Sequence, residues 1–251
     1  ITIFKKEKID FFIHLAAVSS VEKANDNKIK TYESNVLGLR SAINLADKLK
    51  CKSFLFASSA AVYGNTKKFP ILENHQLKSE SLYGFSKIIN ENQISNYKNK
   101  IKMNFKILRL FNVYGGNKFL EKNKGVISNW INSILKNKPL ILDNKGRCVR
   151  DFIYIDDIIQ IIERLFLKKK KKIEIYNIGS GNKTSLTSLF KTLKKIIQKK
   201  EKKYKFKIIN RNLSPSQIEY SYSSNKKIKQ LLNFKFTNLE NGINNLINDI
   251  L

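Results

Sequence analysis

Apolar positions in this chain fall into short solid runs, separated by segments with helical spacing. The run Asp10-Phe11-Phe12-Ile13-His14-Leu15-Ala16-Ala17 is apolar and ends in small residues, as a strand buried in a parallel sheet does. Over residues 31–49, Val36, Leu39, Ile43 and Ala46 recur at helical spacing and predict a helix with one buried face. Lys52-Ser53-Phe54-Leu55-Phe56-Ala57-Ser58-Ser59 predicts a second buried strand, residues 81–97 a helix, and residues 105–111 a third strand. Strands alternating with helices imply right-handed crossovers, hence an α/β fold with a parallel sheet covered on both faces.

The middle of the chain changes character. Gly115-Gly116-Asn117 opens a loop, residues 126–135 predict a helix, and residues 139–142 a short strand before an Asn144-Lys145-Gly146 turn. Residues 151–155 lead into a helix through about Leu167, and residues 173–178 form a strand ending in Gly179-Ser180-Gly181. That glycine pair is too short for a nucleotide fingerprint and reads as a strand-to-helix turn with Thr184 or Ser185 as N-cap. An amphipathic helix over 185–197 and a helix-rich tail follow, with no internal repeat and no long linker.

Composition narrows the classes. Of 251 residues, 42% are hydrophobic and 27% charged, which is globular and not disordered. The net charge is +28, yet the basic residues are six arginines and 42 lysines, scattered except for runs at 168–172 and around 194–205. Arginine is the preferred bidentate reader of bases, and Lys, Asn and Ile share A/T-rich codons, so the charge reads as a solvated surface and not as a nucleic-acid site. A basic surface still helps to attract a phosphorylated substrate. No stretch approaches the roughly 20 apolar residues of a membrane helix, so no membrane partner is expected. Two cysteines, Cys51 and Cys148, and two histidines, His14 and His75, give neither a disulfide framework nor a metal cluster. His14 reads as a core histidine. The first residues soon carry charge and read as no secretory leader, so a cytoplasmic, reducing location is the expectation.

One constellation carries chemistry. Ser81-Leu82-Tyr83-Gly84-Phe85-Ser86-Lys87 holds a Tyr-x-x-x-Lys pair, and positions i and i+4 share a helix face. An ammonium beside a phenol favours the phenolate, which lowers the tyrosine pKa toward a usable base. Ser59 stands 24 positions upstream at the end of a buried strand, where open α/β sheets line their ligand crevice. From there a serine reaches the same substrate hydroxyl that Tyr83 deprotonates.

Further segments occur in a recognisable order: His14-Leu15-Ala16-Ala17, Asn35-Val36-Leu37-Gly38, Ser59 with Tyr83 and Lys87, Arg109-Leu110-Phe111-Asn112-Val113-Tyr114-Gly115, and Gly146-Arg147-Cys148-Val149-Arg150-Asp151-Phe152. In this order they resemble the extended short-chain dehydrogenase/reductase family, the NAD-dependent nucleotide-sugar epimerases and dehydratases, over about residues 10–177. The resemblance implies a Rossmann-like sheet and NAD as cofactor. It implies Ser59, Tyr83 and Lys87 as the catalytic trio, which also touch the cofactor, and Leu15, Ala16, Ala17, Asn35 and Phe111 as further cofactor-side residues. Ser59, Tyr83, Asn112 and Arg150 are implied on the substrate side, the last as partner of the nucleotide diphosphate. Epimerases of the family are often homodimers through a helix pair that includes the Tyr83 helix, and the resemblance allows a homodimer of that kind here.

The reaction expected follows from two small residues. Family 4,6-dehydratases carry Asp-Glu directly after the Ser/Thr, and decarboxylases carry Glu at the second position. Here these are Ala60 and Ala61, which move no protons. Ser59-Ala60-Ala61-Val62-Tyr63-Gly64 resembles the 4-epimerase type, which implies a UDP-glucose/UDP-galactose-type reaction on a UDP-sugar. Another nucleotide-sugar epimerase, or a reductase or dehydratase of the family, would use the same trio, and an inactive fragment or a basic binding protein on the same scaffold is the rival from another class. The family's Gly-x-x-Gly-x-x-Gly fingerprint, which sets pyrophosphate on a helix N-terminus, is not among the 10 glycines. The expectation is therefore an N-terminally truncated chain holding the catalytic and substrate halves of a longer enzyme. Its domains would be an incomplete NAD-binding part at 1–115, with a return segment at about 151–178, and a substrate-binding part at 116–150 and 179–251.

Overall fold

The computed structural model describes residues 7–19, 21–116, 125–168, 172–212, 218–248 and 250. In chain order the elements are β1 (Phe11–His14), α1 (Val21–Asp26), α2 (Lys28–Tyr32), a wide π-helical turn (Glu33–Leu37), α3 (Gly38–Lys48), β2 (Ser53–Ser59), a 3-10 turn (Ala60–Tyr63), α4 (Leu82–Tyr97) and β3 (Asn104–Leu110). Next come β4 (Asn112–Tyr114), α5 (Gly125–Leu135), β5 (Leu140–Asp143), β6 (Val149–Arg150), β7 (Phe152–Tyr154), α6 (Ile155–Leu167) and β8 (Ile173–Ile178). The last are β9 (Thr184–Ser185), α7 (Leu186–Lys200), β10 (Ile208–Arg211), β11 (Tyr220–Ser221), α8 (Lys226–Leu232) and α9 (Leu239–Asn248). The chain divides into two compact units: Ile1–Lys67, Leu72–Leu110 and Glu163–Asn177 form one, and Lys68–Ile71, Phe111–Ile162 and Ile178–Leu251 the other.

The first unit is built on a sheet of order β1-β2-β3-β8. β1 pairs parallel to β2 with His14 opposite Phe56, and β2 pairs parallel to β3 with Ser59 opposite Leu110. Phe54, Leu55 and Phe56 in β2 are all fully buried, as a parallel strand covered on both faces requires. Leu39 and Ile43 of α3, Ile94 of α4, and Phe105 and Ile107 of β3 pack with Phe54 and Phe56. Each such burial stabilises by about 1.5–3 kcal/mol. Because β1, β2 and β3 run the same way, their carboxyl ends His14, Ser59 and Leu110 come to one edge. β3 also carries a fully buried lysine, Lys106, which the sheet accommodates by pairing it with Glu174 of β8.

α4 begins where Ser81 accepts a hydrogen bond from Gly84 N at 3.1 Å, an N-cap. Its buried stripe is largely polar: Ser86, Lys87, Asn90 and Glu91 lie between Gly84 and Ile94. Hydrogen bonds, more than apolar contact, therefore fix where this helix sits. A Cβ on Gly84 would stand 2.6 Å from the Ala61 carbonyl oxygen, so only glycine lets α4 approach the turn after β2 this closely.

The second unit has its own core, with Ile127, Trp130, Ile131 and Ile134 of α5, Leu186, Leu189 and Leu193 of α7, and Ile243 and Leu246 of α9. Small sheets frame it: β4 parallel to β7, β5 parallel to β10, and β6 between β11 and β9.

The parallel α/β sheet agrees with the sequence pattern, and several local expectations need correction, first that β1, expected to be buried, leaves Phe11 and Ile13 exposed. The helix expected over 31–49 begins at Lys28 and is interrupted by the wide turn at Glu33–Leu37. The helix expected to end at 197 runs to Lys200, because its last turn is solvated lysine with no apolar signal. The tail carries two strands beside its helices; β10 is exposed along its whole length, so it shows no alternation to read. Asn117, expected in a loop, and residues 169–171 of the lysine run lie outside the described residues.

Candidate active site

Ser59 ends β2 in an extended conformation, and its Oγ accepts a hydrogen bond from Ala61 N at 3.2 Å. That bond caps the 3-10 turn and aims the hydroxyl along the sheet edge. Tyr83 lies in the first turn of α4, and the Ser59 side chain acts on its hydroxyl to lower its pKa. One turn on, Lys87 is 2% exposed and donates from Nζ to the Ala57 carbonyl at 2.7 Å. Nζ lies 4.6 Å from the centroid of the Phe56 ring and 5.7 Å from that of Tyr83. The structure thus brings together Ser59, Tyr83 and Lys87, three residues from β2 and α4.

The charge states differ from the simple expectation of a lowered tyrosine pKa. Burial holds Tyr83 above the usual phenol value, and the Ser59 side chain opposes that rise only in part. Lys87 is itself pushed down by burial to about 8, with Glu91 opposing. His14 is pushed below its usual value by burial and by Lys87, so it stays neutral beside the cation. Its ring stacks on Phe54 and Phe56, each 6.1 Å away, and its Nε2 is buried with no hydrogen-bond partner.

Asn35 sits inside the wide turn at Glu33–Leu37 and is buried. Its side-chain amide donates to the Val18 carbonyl at 3.2 Å and to Ser86 Oγ at 3.1 Å, and its oxygen accepts from Val18 N at 2.7 Å. Asn90 donates to the Asn35 carbonyl at 2.9 Å, and Gln93 to the Val36 carbonyl at 3.3 Å. Wide turns disturb the regular carbonyl ladder, and here two amides of α4 bond into that turn. Asn35 therefore ties the segment after β1 to the helix that carries Tyr83. In that segment Leu15 and Ala16 are exposed and Ala17 is half-buried.

In the second unit, Phe111 is buried and its amide donates to the Ile178 carbonyl at 3.0 Å. Asn112 donates twice to the Asp151 carbonyl, from its backbone N at 3.0 Å and from Nδ2 at 3.1 Å. Arg150 donates from one terminal nitrogen to the carbonyls of Val149 and Glu219, at 2.9 and 3.0 Å. Burial pushes its pKa down, and among the described residues no carboxylate pairs with it. Its sequence neighbour Asp151 is fully buried and accepts instead from Ser180, Gly181 and Ser223. A local Arg150–Asp151 ion pair is thereby ruled out. Ser185, not Thr184, is the N-cap of α7.

Sequence reasoning passed over a buried cluster behind the trio. Arg109 of β3 holds Glu91 of α4 in a two-pronged ion pair, with NH2 at 2.6 Å and Nε at 3.0 Å. Ser58 donates to the same carboxylate at 2.5 Å. Arg109 also donates to the Tyr63 hydroxyl and to the Glu73 carbonyl, both at 2.8 Å, and Tyr63 donates to Asn177 at 2.6 Å. The one available signal was spacing, since Tyr83, Lys87 and Glu91 recur every four residues on one face of α4. Among the described residues no cluster of His, Cys, Asp or Glu could hold a metal ion, and no helix is long and apolar enough to cross a membrane.

The model of the NAD dependent epimerase/dehydratase family matches residues 1–179. A Methanocaldococcus jannaschii protein named "Putative UDP-glucose 4-epimerase" is 36% identical over 194 residues, 75% of this chain and 63% of the relative. The dTDP-D-glucose 4,6-dehydratase of Dictyostelium discoideum is 32% identical over 189 residues, 71% of this chain and 43% of that enzyme. The matches thus span between two fifths and two thirds of these two relatives' length. Among solved structures, the UDP-glucose 4-epimerase of Thermotoga maritima with UDP-glucose superposes with a TM-score of 0.90 at 25% identity, covering 98% of this chain and 79% of that one.

Proposed function

This chain belongs to the NAD-dependent epimerase/dehydratase family, and from that premise we propose that it serves a nucleotide-sugar 4-epimerase of the UDP-glucose/UDP-galactose type. The observation that carries the reading is the grouping of Ser59, Tyr83 and buried Lys87 from β2 and α4, with Ser59 followed by Ala60 and Ala61 where elimination needs proton-moving side chains.

The residues present fit a dinucleotide at the sheet edge. Lys87 uses one of its three donors on Ala57, which leaves two for a ligand. His14 Nε2 is buried and unpartnered, and Leu15 and Ala16 are exposed after β1. NAD, when bound, supplies a reversible hydride acceptor at the sugar's C4. Tyr83 takes the proton of the C4 hydroxyl and later returns it, Ser59 shares that hydrogen bond, and the Lys87 cation favours the phenolate. Asn35 acts behind them by holding the Val18 segment against α4. Arg150, a half-buried cation that pairs with no carboxylate among the described residues, meets the diphosphate of the substrate, and Asn112 borders the sugar. A cytosolic location and a homodimer through helices that include α4 belong to the same reading; Tyr32 and Leu37, on the neighbouring helical segment, are exposed.

The experiment is incubation with NAD and a panel of UDP- and dTDP-hexoses, read by proton NMR. The expected outcome is a C4 epimer of one UDP-hexose and no 4-keto-6-deoxy sugar. A dehydrated product, or no turnover of any member, contradicts the proposal.

A further inference from the structure

The cluster behind the trio has a geometry that the acid–base step does not itself call for. Glu91 lies two turns along α4 from Tyr83 and one from Lys87, on the same face. Its carboxylate is fixed from two neighbouring strands. Arg109 grips it from β3 through Nε and NH2, and Ser58 from β2 at 2.5 Å. Ser58 precedes Ser59, and Lys87 donates to the carbonyl of Ala57, so one end of β2 supports both residues. The carboxylate does not touch Lys87 as an ion pair; it acts on that ammonium through space.

We propose that Glu91, clamped by Arg109 and Ser58, is a positioning residue that keeps Lys87 charged and α4 in register with the end of β2. The role in turnover rests on Tyr83 being the base, as argued above; the effect on Lys87 does not. The groups facing Lys87 are few. α4 contributes Tyr83 and Glu91, β2 the Ala57 carbonyl and the Phe56 ring, and β1 His14. His14 is held neutral by burial and by Lys87 itself, and Tyr83 is held protonated by burial. That leaves Glu91 as the anion opposing the desolvation of Lys87, which already stands near 8. Arg109 and Ser58 in turn hold Glu91 in place by supplying donors to both of its oxygens.

The test is the titration of Lys87 in the whole chain, followed by NMR of 13C-lysine-labelled protein and assigned by the signal that Lys87→Met removes. The parent signal should titrate near 8, apart from the surface lysines. In Glu91→Gln the midpoint should fall by about one unit, since an opposite charge at close range holds a cation up by one to three. In Glu91→Asp, which keeps the charge, it should stay close to the parent value. If Glu91→Gln does not fold because it strands Arg109, the double variant Glu91→Met/Arg109→Met removes both charges together and should show a smaller fall, because a cation leaves with the anion. A midpoint unmoved in whichever variant folds, or an equal fall in Glu91→Asp, overturns the proposal. Because this readout needs no substrate, a failed epimerase assay would count against the functional reading and leave the titration to decide this one.

Discussion

A lysine buried to 2% exposure is a cost that this chain carries for its site. Burial pushes Lys87 down to about 8, and Glu91 only partly opposes it. The sign of the consequence is fixed by linkage. The unfolded chain, with a lysine near the ordinary 10.5, binds more protons than the folded one between about 8 and 10.5, so stability rises with pH across that window. Lys87→Met should therefore raise Tm at pH 7, and the gain should shrink above pH 8 and vanish by about 10.5, as differential scanning calorimetry across pH would record. A gain that does not change with pH would contradict this. The trio itself was legible in the sequence because its members lie on two segments with fixed local patterns, a strand end and a helix face. Glu91, Ser58 and Arg109 were not, because their meeting depends on β2, β3 and α4 converging, which no local spacing encodes. The tyrosine pKa was misjudged for a related reason: the sequence shows that an ammonium is near, but not how completely both groups are buried.

At the scale of elements, the site depends on how closely α4 approaches the turn after β2. Gly84, next to Tyr83, makes that approach possible, for a Cβ there would meet Ala61 O at 2.6 Å and its carbonyl carbon at 2.9 Å. Gly84→Ala should push the helix outward, lengthen the Ser59–Tyr83 contact and cost about 1–3 kcal/mol of stability. The measurement is kcat together with Tm, and both should fall; an unchanged kcat would show that the approach is not needed. The wide turn at Glu33–Leu37 is the second device at this scale. Asn35, Asn90 and Gln93 bond across it, so the segment after β1 and α4 are held to each other by side-chain amides. Sequence periodicity predicted a helix through this stretch and could not show the interruption, since Val36 inside it and Leu39 and Ile43 after it keep helical apolar spacing. β10 was missed for the opposite reason, being exposed throughout.

For the whole molecule, the proposal gives the acid–base step to Tyr83 and the diphosphate of the substrate to Arg150. Tyr83→Phe should lower kcat by about 10²–10⁴-fold, the range for loss of a positioned acid–base group, with KM little changed. Arg150→Met should raise KM for the nucleotide sugar at least about tenfold and leave kcat within a few-fold. Equal effects of both variants on kcat would mean that the division is wrong. The parallel α/β class was readable from strand–helix alternation, while the small sheets of the second unit, with strands of two to four residues, are too short to leave a pattern.

The most direct test of the central claim is isotopic. UDP-glucose deuterated at C4 is incubated with the protein and NAD, and the product is examined by NMR. The account predicts the C4 epimer with deuterium still at C4, because Ala60 and Ala61 provide no group to move protons at the neighbouring carbons. Deuterium found at C6 of a 4-keto-6-deoxy product would contradict it and make the chain a dehydratase.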